Sequence, residues 1–144
     1  KWSTDVTELR YGNGRKAYLS AIIDMYDNSI VSYVVGRSNN NKLVMKTIHR
    51  VTKKNQKARP IIQSDRGYQY TSHEYKRLSE KYHFTKSMSS VDQPIELFLG
   101  TYKAESFYIK KLNDYETVCK DGFTLYPLLQ QLSLYRIFKL LFTK

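Results

Sequence analysis

A chain of 144 residues suits one domain with its own hydrophobic core and leaves little room for two. Lys and Arg number 24 against 13 Asp and Glu, a net charge of +11, which disfavours an enzyme for neutral small molecules and points to polyanions or acidic surfaces. With 41% hydrophobic and 14% aromatic residues the chain is too apolar for a disordered basic tail, and its one cysteine, Cys119, excludes an internal disulfide and suits a reducing compartment.

Trp2 to Leu9 is rich in Thr, Val and Trp and closes at Tyr11-Gly12-Asn13-Gly14, which suits a tight turn between antiparallel strands. Lys16 to Asp24 reads as the return strand, Asp27-Asn28 as the next turn, and Ile30 to Val35 as the third strand of a meander. From Asn41 the period changes. Leu43, Val44, Thr47, Ile48 and Val51 fall at helical spacing among Lys42, Lys46, Arg50, Lys53 and Lys54, which predicts an amphipathic helix with a basic face.

Pro60 to Ser64 is a short apolar run, predicting a buried strand that delivers Asp65 to its C-terminal end ahead of a Gly turn. A helix is expected near His73 to Tyr82, a short strand at His83 to Ser87, and a further helix from Pro94 to about Lys110 with Asp92 or Gln93 as its cap. Three strands followed by alternating helix and strand predict an α/β layered sheet. Beyond about Asp121 the pattern breaks: Leu125 to Phe142 is rich in Leu and aromatics without a clean helical stripe. It reads as a last core helix or as a tail that does not pack. No early run resembles a signal peptide, and none reaches the roughly 18 continuous apolar residues of a membrane span, so a soluble protein is expected. The opening Lys1-Trp2-Ser3 already reads as strand, which suggests a start internal to a longer protein.

Three acids stand out. Asp5 lies in mid-strand, where Asp is disfavoured unless paired or bound to a cation, and Asp65 sits where open α/β sheets build ligand sites. Glu96 opens a helix on which Gly100 and Lys103 follow at intervals of four and three residues, so the three share a face. Converging carboxylates repel one another unless hard divalent cations neutralise them through oxygen ligands. Two such ions can activate a water or a 3′-hydroxyl for in-line displacement at a phosphodiester. The basic balance suits that substrate: between Asn28 and Ser64 there are eight Lys and Arg and no acid. An ordinary solvated basic face, turn acids and a helix-start acid are the competing readings of these same residues.

Taken together, Trp2-Ser3-Thr4-Asp5-Val6-Thr7-Glu8-Leu9, Lys16 to Asp24, Gln63-Ser64-Asp65-Arg66-Gly67-Tyr68-Gln69-Tyr70, Ser87-Met88-Ser89 and Asp92 to Glu105 resemble the catalytic core of insertion-sequence transposases of the IS3 type, relatives of the retroviral integrase core. The match runs in family order over residues 1–120, leaving 121–144 as an atypical C-terminal tail that reads like an altered frame. The resemblance implies an RNase H-like fold: a mixed five-stranded sheet, three antiparallel strands and then parallel additions, flanked by helices. It implies that Asp5, Asp65 and Glu96 are the catalytic, metal-binding triad, holding two Mg²⁺ or Mn²⁺ ions for DNA strand cleavage and strand transfer.

Lys103 takes the place of the family's DNA-contacting Lys or Arg. Arg66, Lys42, Lys46, Arg50, Lys53 and Lys54 complete the expected DNA surface. The implied partners are transposon ends and target DNA, with further copies of the chain in a synaptic complex, in the bacterial cytoplasm at the nucleoid and away from membranes. Asp65 and Glu96 are separated by 30 residues, about five fewer than is usual in the family, and the chain after Lys120 departs from its pattern. These departures favour a second reading, a catalytically impaired DNA-binding remnant. A third, a nuclease for RNA in hybrids, needs a fourth acid, for which Asp24 and Asp92 are the candidates.

Overall fold

The computed structural model describes residues 1–27 and 29–89, together with positions 95 and 99. Strand β1 spans Trp2–Tyr11 and pairs antiparallel with β2, Arg15–Asp24, from Trp2 opposite Asp24 to Tyr11 opposite Arg15. The turn between them needs left-handed backbone, which Gly12 (φ 54°) and Gly14 (φ 86°) supply at no steric cost. β3, Ile30–Gly36, extends the meander with an irregularity in pairing between Ile22 and Ile23. β1 therefore runs two residues beyond the expected Leu9, because Tyr11 is buried and still has a partner in Arg15.

Helix α1, Asn41–Lys54, carries the chain from the β3 edge back across the sheet. The Asn40 side chain accepts the Leu43 amide at 3.1 Å and caps its start, while Lys53 and Lys54 complement the dipole in its last turn. β4, Ile61–Ser64, lies parallel to β1 on the other side from β2. A four-residue helix α2, Tyr68–Thr71, was not expected from the sequence. α3, His73–Tyr82, is capped by the Ser72 hydroxyl, which accepts the Tyr75 amide at 3.2 Å.

The last strand, β5, spans Thr85–Met88 and pairs parallel with β4. It starts later than the expected His83 because His83 closes α3 in the left-handed region (φ 57°) and the buried Phe84 bonds back to the Ser79 carbonyl. The strand order is β3-β2-β1-β4-β5, a mixed five-stranded sheet with helices, as the sequence implies. Beyond Ser89, only Ile95 and Leu99 of the Pro94–Lys110 segment are described, both helical; the expected boundary at Asp121 and the Leu125–Phe142 segment lie outside the described residues.

Two cores flank the sheet. On one face Leu9, Tyr11, Ala17, Leu19, Ala21 and Ile23 pack with Ile95 and Leu99. On the other, Trp2, Ile22 and Ile62 meet Val44, Ile48 and Val51 of α1 and Tyr75 and Leu78 of α3. Each buried Val, Leu or Ile among them stabilises the fold by about 1.5–3 kcal/mol relative to exposure. β2 is buried on both faces, as a strand one place from the sheet's centre must be when helices cover both sides.

Candidate active site

The register of β1 on β4 builds the site. Trp2 pairs with Ile62 and Ser3 with Gln63, so two residues further on Asp5 and Asp65 stand at the same height on neighbouring parallel chains. Adjacent strands lie about 4.8 Å apart, and alternation puts Asp5 on the face of Ser3, opposite to Trp2, while Asp65 follows the last residue of β4. Asp5 is half-buried in mid-strand; Asp65 is exposed, one residue past the end of β4. Across β1, Asp5 faces Ala21, a member of the core that holds Ile95 and Leu99.

Local bonding fixes Asp65. Its Oδ1 accepts the Gly67 amide at 2.7 Å, and its carbonyl accepts the Ser64 hydroxyl at 3.0 Å. Gly67 has φ −57°, so this glycine is not required by left-handed backbone, as a Gly turn suggests. The reason is steric: a Cβ there would come within 2.9 Å of Asp65 Oδ1 and 3.1 Å of Gln69 Oε1. The segment after it is tied to the start of α1, since Tyr68 donates its hydroxyl to the Asn39 carbonyl and Gln69 Nε2 donates to Asn39 Oδ1. Gly67→Ala is therefore expected to push the Asp65 carboxylate aside, lowering Mn²⁺ affinity by roughly 10–100-fold with little loss of stability. Unchanged affinity by calorimetry would show that the carboxylate is not held there.

Tyr70 lies in the core that holds Trp2 and Ile62. It is 2% exposed, stacks edge-on to Tyr75 at 5.5 Å between centroids, and its hydroxyl has no hydrogen-bond partner among the described residues. The Thr4 hydroxyl, committed as donor to the Ala21 carbonyl at 3.1 Å, is the polar group beside it. Burial pushes the Tyr70 phenol well above the usual range; Thr4 opposes this, and the negative charges of Asp5, Tyr75 and Asp65 add to it. Burial likewise raises Tyr75.

Neutral when folded and ionisable near pH 10 when unfolded, the two phenols contribute stability that is complete below about pH 10 and is lost as pH rises through their folded-state values. Urea midpoints should fall between about pH 8 and pH 11 in the wild type and fall less in Tyr70→Phe/Tyr75→Phe. Parallel curves for the two proteins would contradict this.

Of the other expected site residues, Lys42, Lys46, Lys53 and Lys54 are exposed on α1, Arg50 is exposed and donates to the Tyr33 carbonyl at 3.0 Å, and Arg66 is exposed beside Asp65. Glu96, Lys103 and Asp92 lie outside the described residues. Asp24 pairs with Trp2, three residues or about 10 Å along β1 from Asp5, and accepts the Tyr26 amide at 2.9 Å. It is not a fourth acid for the pair. Among the described residues no cluster of three or more His, Cys, Asp or Glu forms; Asp5 and Asp65 are two carboxylates on neighbouring chain segments. An oxygen-only pair of this kind suits Mg²⁺ or Mn²⁺ rather than a soft metal. Tyr70 and Gly67 were given no role by sequence reasoning, although both fall in the quoted Gln63–Tyr70 motif.

The mixed five-stranded sheet of order β3-β2-β1-β4-β5 with its helices is an RNase H-like fold. The HTLV-2 integrase catalytic core domain, solved in complex with magnesium, shares this fold at TM-score 0.62 and 18% identity, covering 86% of this chain and 82% of that one. The catalytic domain of Mos1 mariner transposase does so at TM-score 0.63 and 11% identity, covering 94% and 80%. Residues 1–94 match the family described as Integrase core domain, and the chain belongs to that family.

Among relatives, InsK of insertion sequence element IS150 from Escherichia coli (strain K12), named as a transposase, is 34% identical over 132 residues, 88% of this chain and 46% of that protein. An uncharacterized transposase-like protein of Haemophilus influenzae is 32% identical over 125 residues, 83% and 57%. The chain spans about half the length of these relatives. Among the described residues, no helix is long and apolar enough to cross a membrane.

Proposed function

We propose that this chain is the catalytic core of an insertion-sequence transposase, cutting DNA strands and joining them with Asp5, Asp65 and Glu96 holding two divalent ions. The observation that carries the reading is the register that sets Asp5 beside Asp65. Glu96 follows Ile95, which packs on the sheet face of Asp5, and this supports Glu96 as the third ligand. When bound, Mg²⁺ or Mn²⁺ supplies an activated water or 3′-hydroxyl and neutralises charge on the leaving oxygen.

The chain's own part is to hold and orient. Asp5 is fixed by the strand and Asp65 by the Gly67 amide. In this reading Arg66 and Lys103 contact the phosphate backbone, and the α1 cations hold DNA further away. Copies of the chain acting together on two transposon ends and a target, at the bacterial nucleoid, complete this reading.

The shortened interval between Asp65 and Glu96 favours a second reading, a DNA-binding remnant with weak chemistry. Five extended residues reach up to about 17 Å, enough to matter for bringing Glu96 to the pair. Nicking of supercoiled plasmid separates the two. The catalytic reading expects relaxed circles with Mn²⁺ or Mg²⁺ and none with EDTA; plasmid that is bound but never nicked favours the remnant.

A further inference from the structure

A second cluster of charged side chains lies at the opposite rim of the sheet from the aspartates. There a cavity of about 520 Å³ opens between the C-terminal ends of α1 and α3 and the segment that leads into β4. Its walls bring together Arg50, Lys53, Arg59 and Lys81 with the imidazoles of His49 and His83, and they include no carboxylate. The ion pairs found among the described residues lie elsewhere, joining Glu8 to Arg10 and Lys16.

Several of these groups are held in place. Arg59 Nη1 donates to the carbonyls of Gln56 and Ala58 at 3.0 and 3.1 Å. Tyr82 meets the His49 ring edge-on at 5.3 Å, shares a hydrogen bond between its hydroxyl and His49 Nδ1, and carries Lys81 Nζ 5.2 Å from its centroid. Like charges gathered in a concavity repel, and an anion with several oxygens relieves that repulsion; a guanidinium fork suits phosphate in particular.

We propose that this cavity is a phosphate subsite for the backbone of a DNA segment other than the one at the aspartate pair, an inference that rests on the DNA-acting reading above. Two placements favour DNA over a free small anion. First, the cavity ends a basic track: α1, about 21 Å long, is tied at its start through Asn39 to the loop after Asp65, exposes Lys42 and Lys46 along its length, and delivers Lys53 to the cavity. Second, Trp2 lines the cavity three residues before Asp5, about 10 Å along β1. The cavity, lined by Trp2 on the sheet face opposite to that of Asp5, is thus a place for DNA other than the reacting phosphate.

Binding of a fluorescent 30-base-pair duplex, measured across salt concentrations in EDTA, tests this. Lys53→Ala/Arg59→Ala/Lys81→Ala should weaken binding on the order of 10-fold at moderate salt and lower the salt slope by roughly 3. Arg10→Ala/Arg15→Ala/Lys16→Ala, which removes the same charge from the β1–β2 hairpin, should change it little. The milder Lys53→Gln/Lys81→Gln should show the same order of effect, in part. Equal weakening by the cavity and hairpin variants overturns the subsite. Inorganic phosphate titrated into the wild type is the second arm: saturation of the His49 and His83 ring signals at micromolar phosphate, with no displacement by duplex, assigns the cavity to a small anion and overturns the DNA occupant. Plasmid nicking is a separate readout, so absent nicking with cavity-dependent binding counts against the catalytic reading alone.

Discussion

Asp65→Asn is expected to reduce Mn²⁺-dependent plasmid nicking by on the order of 10³-fold or more while leaving the fold and DNA binding intact. The direction follows from charge: the amide keeps the shape of the carboxylate and its acceptor for the Gly67 amide, but removes one of the two negative charges set side by side on β1 and β4. A metal's contribution to such a displacement is several kcal/mol, and each 1.36 kcal/mol is about tenfold in rate. Because Asp65 is exposed and lies past the end of β4, the substitution costs little packing. Nicking by Asp65→Asn within tenfold of the wild type, with equal melting temperatures, would remove Asp65 from the chemistry.

The second large effect is on stability. Ile62→Ala is expected to cost about 2–5 kcal/mol, a large share of the roughly 5–15 kcal/mol that holds a domain of this kind together. Ile62 has no exposed surface, belongs to the core beneath α1 and α3, and sits in a strand of four residues that ends one residue before Asp65. Its neighbour Ile61 is 44% exposed, so Ile61→Ala should stay within about 0.5 kcal/mol. Urea denaturation of the two variants checks the contrast, and similar losses would mean that β4 is not packed as described.

How much of this was legible in the residues varied with how local the cause was. The β1–β2 hairpin was readable because Gly12 and Gly14 mark left-handed backbone, and α1 because Leu43, Val44, Ile48 and Val51 repeat at helical spacing. α3 was expected near His73 to Tyr82 and spans those residues. α2 was missed because four residues are too few to show a period, and β5 was begun too early because His83 is polar and its left-handed backbone is set by helix closure.

At the site, Asp5 and Asp65 could be singled out from sequence as polar residues out of place. Their juxtaposition could not, because a parallel register between strands some 60 residues apart depends on tertiary packing. Gly67 shows the same limit: the residue reads as a turn, yet it is the carboxylate beside it that leaves no room for a Cβ. The basic cavity draws on separate stretches, around 49–59 and 81–83, and only the first was visible as a pattern.

Calorimetric titration of Mn²⁺ into the wild type, Asp5→Asn and Asp65→Asn is the most direct measurement of whether these two side chains form one site. Saturable binding by the wild type, lost in each single variant although the two substitutions lie on different strands, is the expected result. Binding of equal affinity in all three proteins would contradict it.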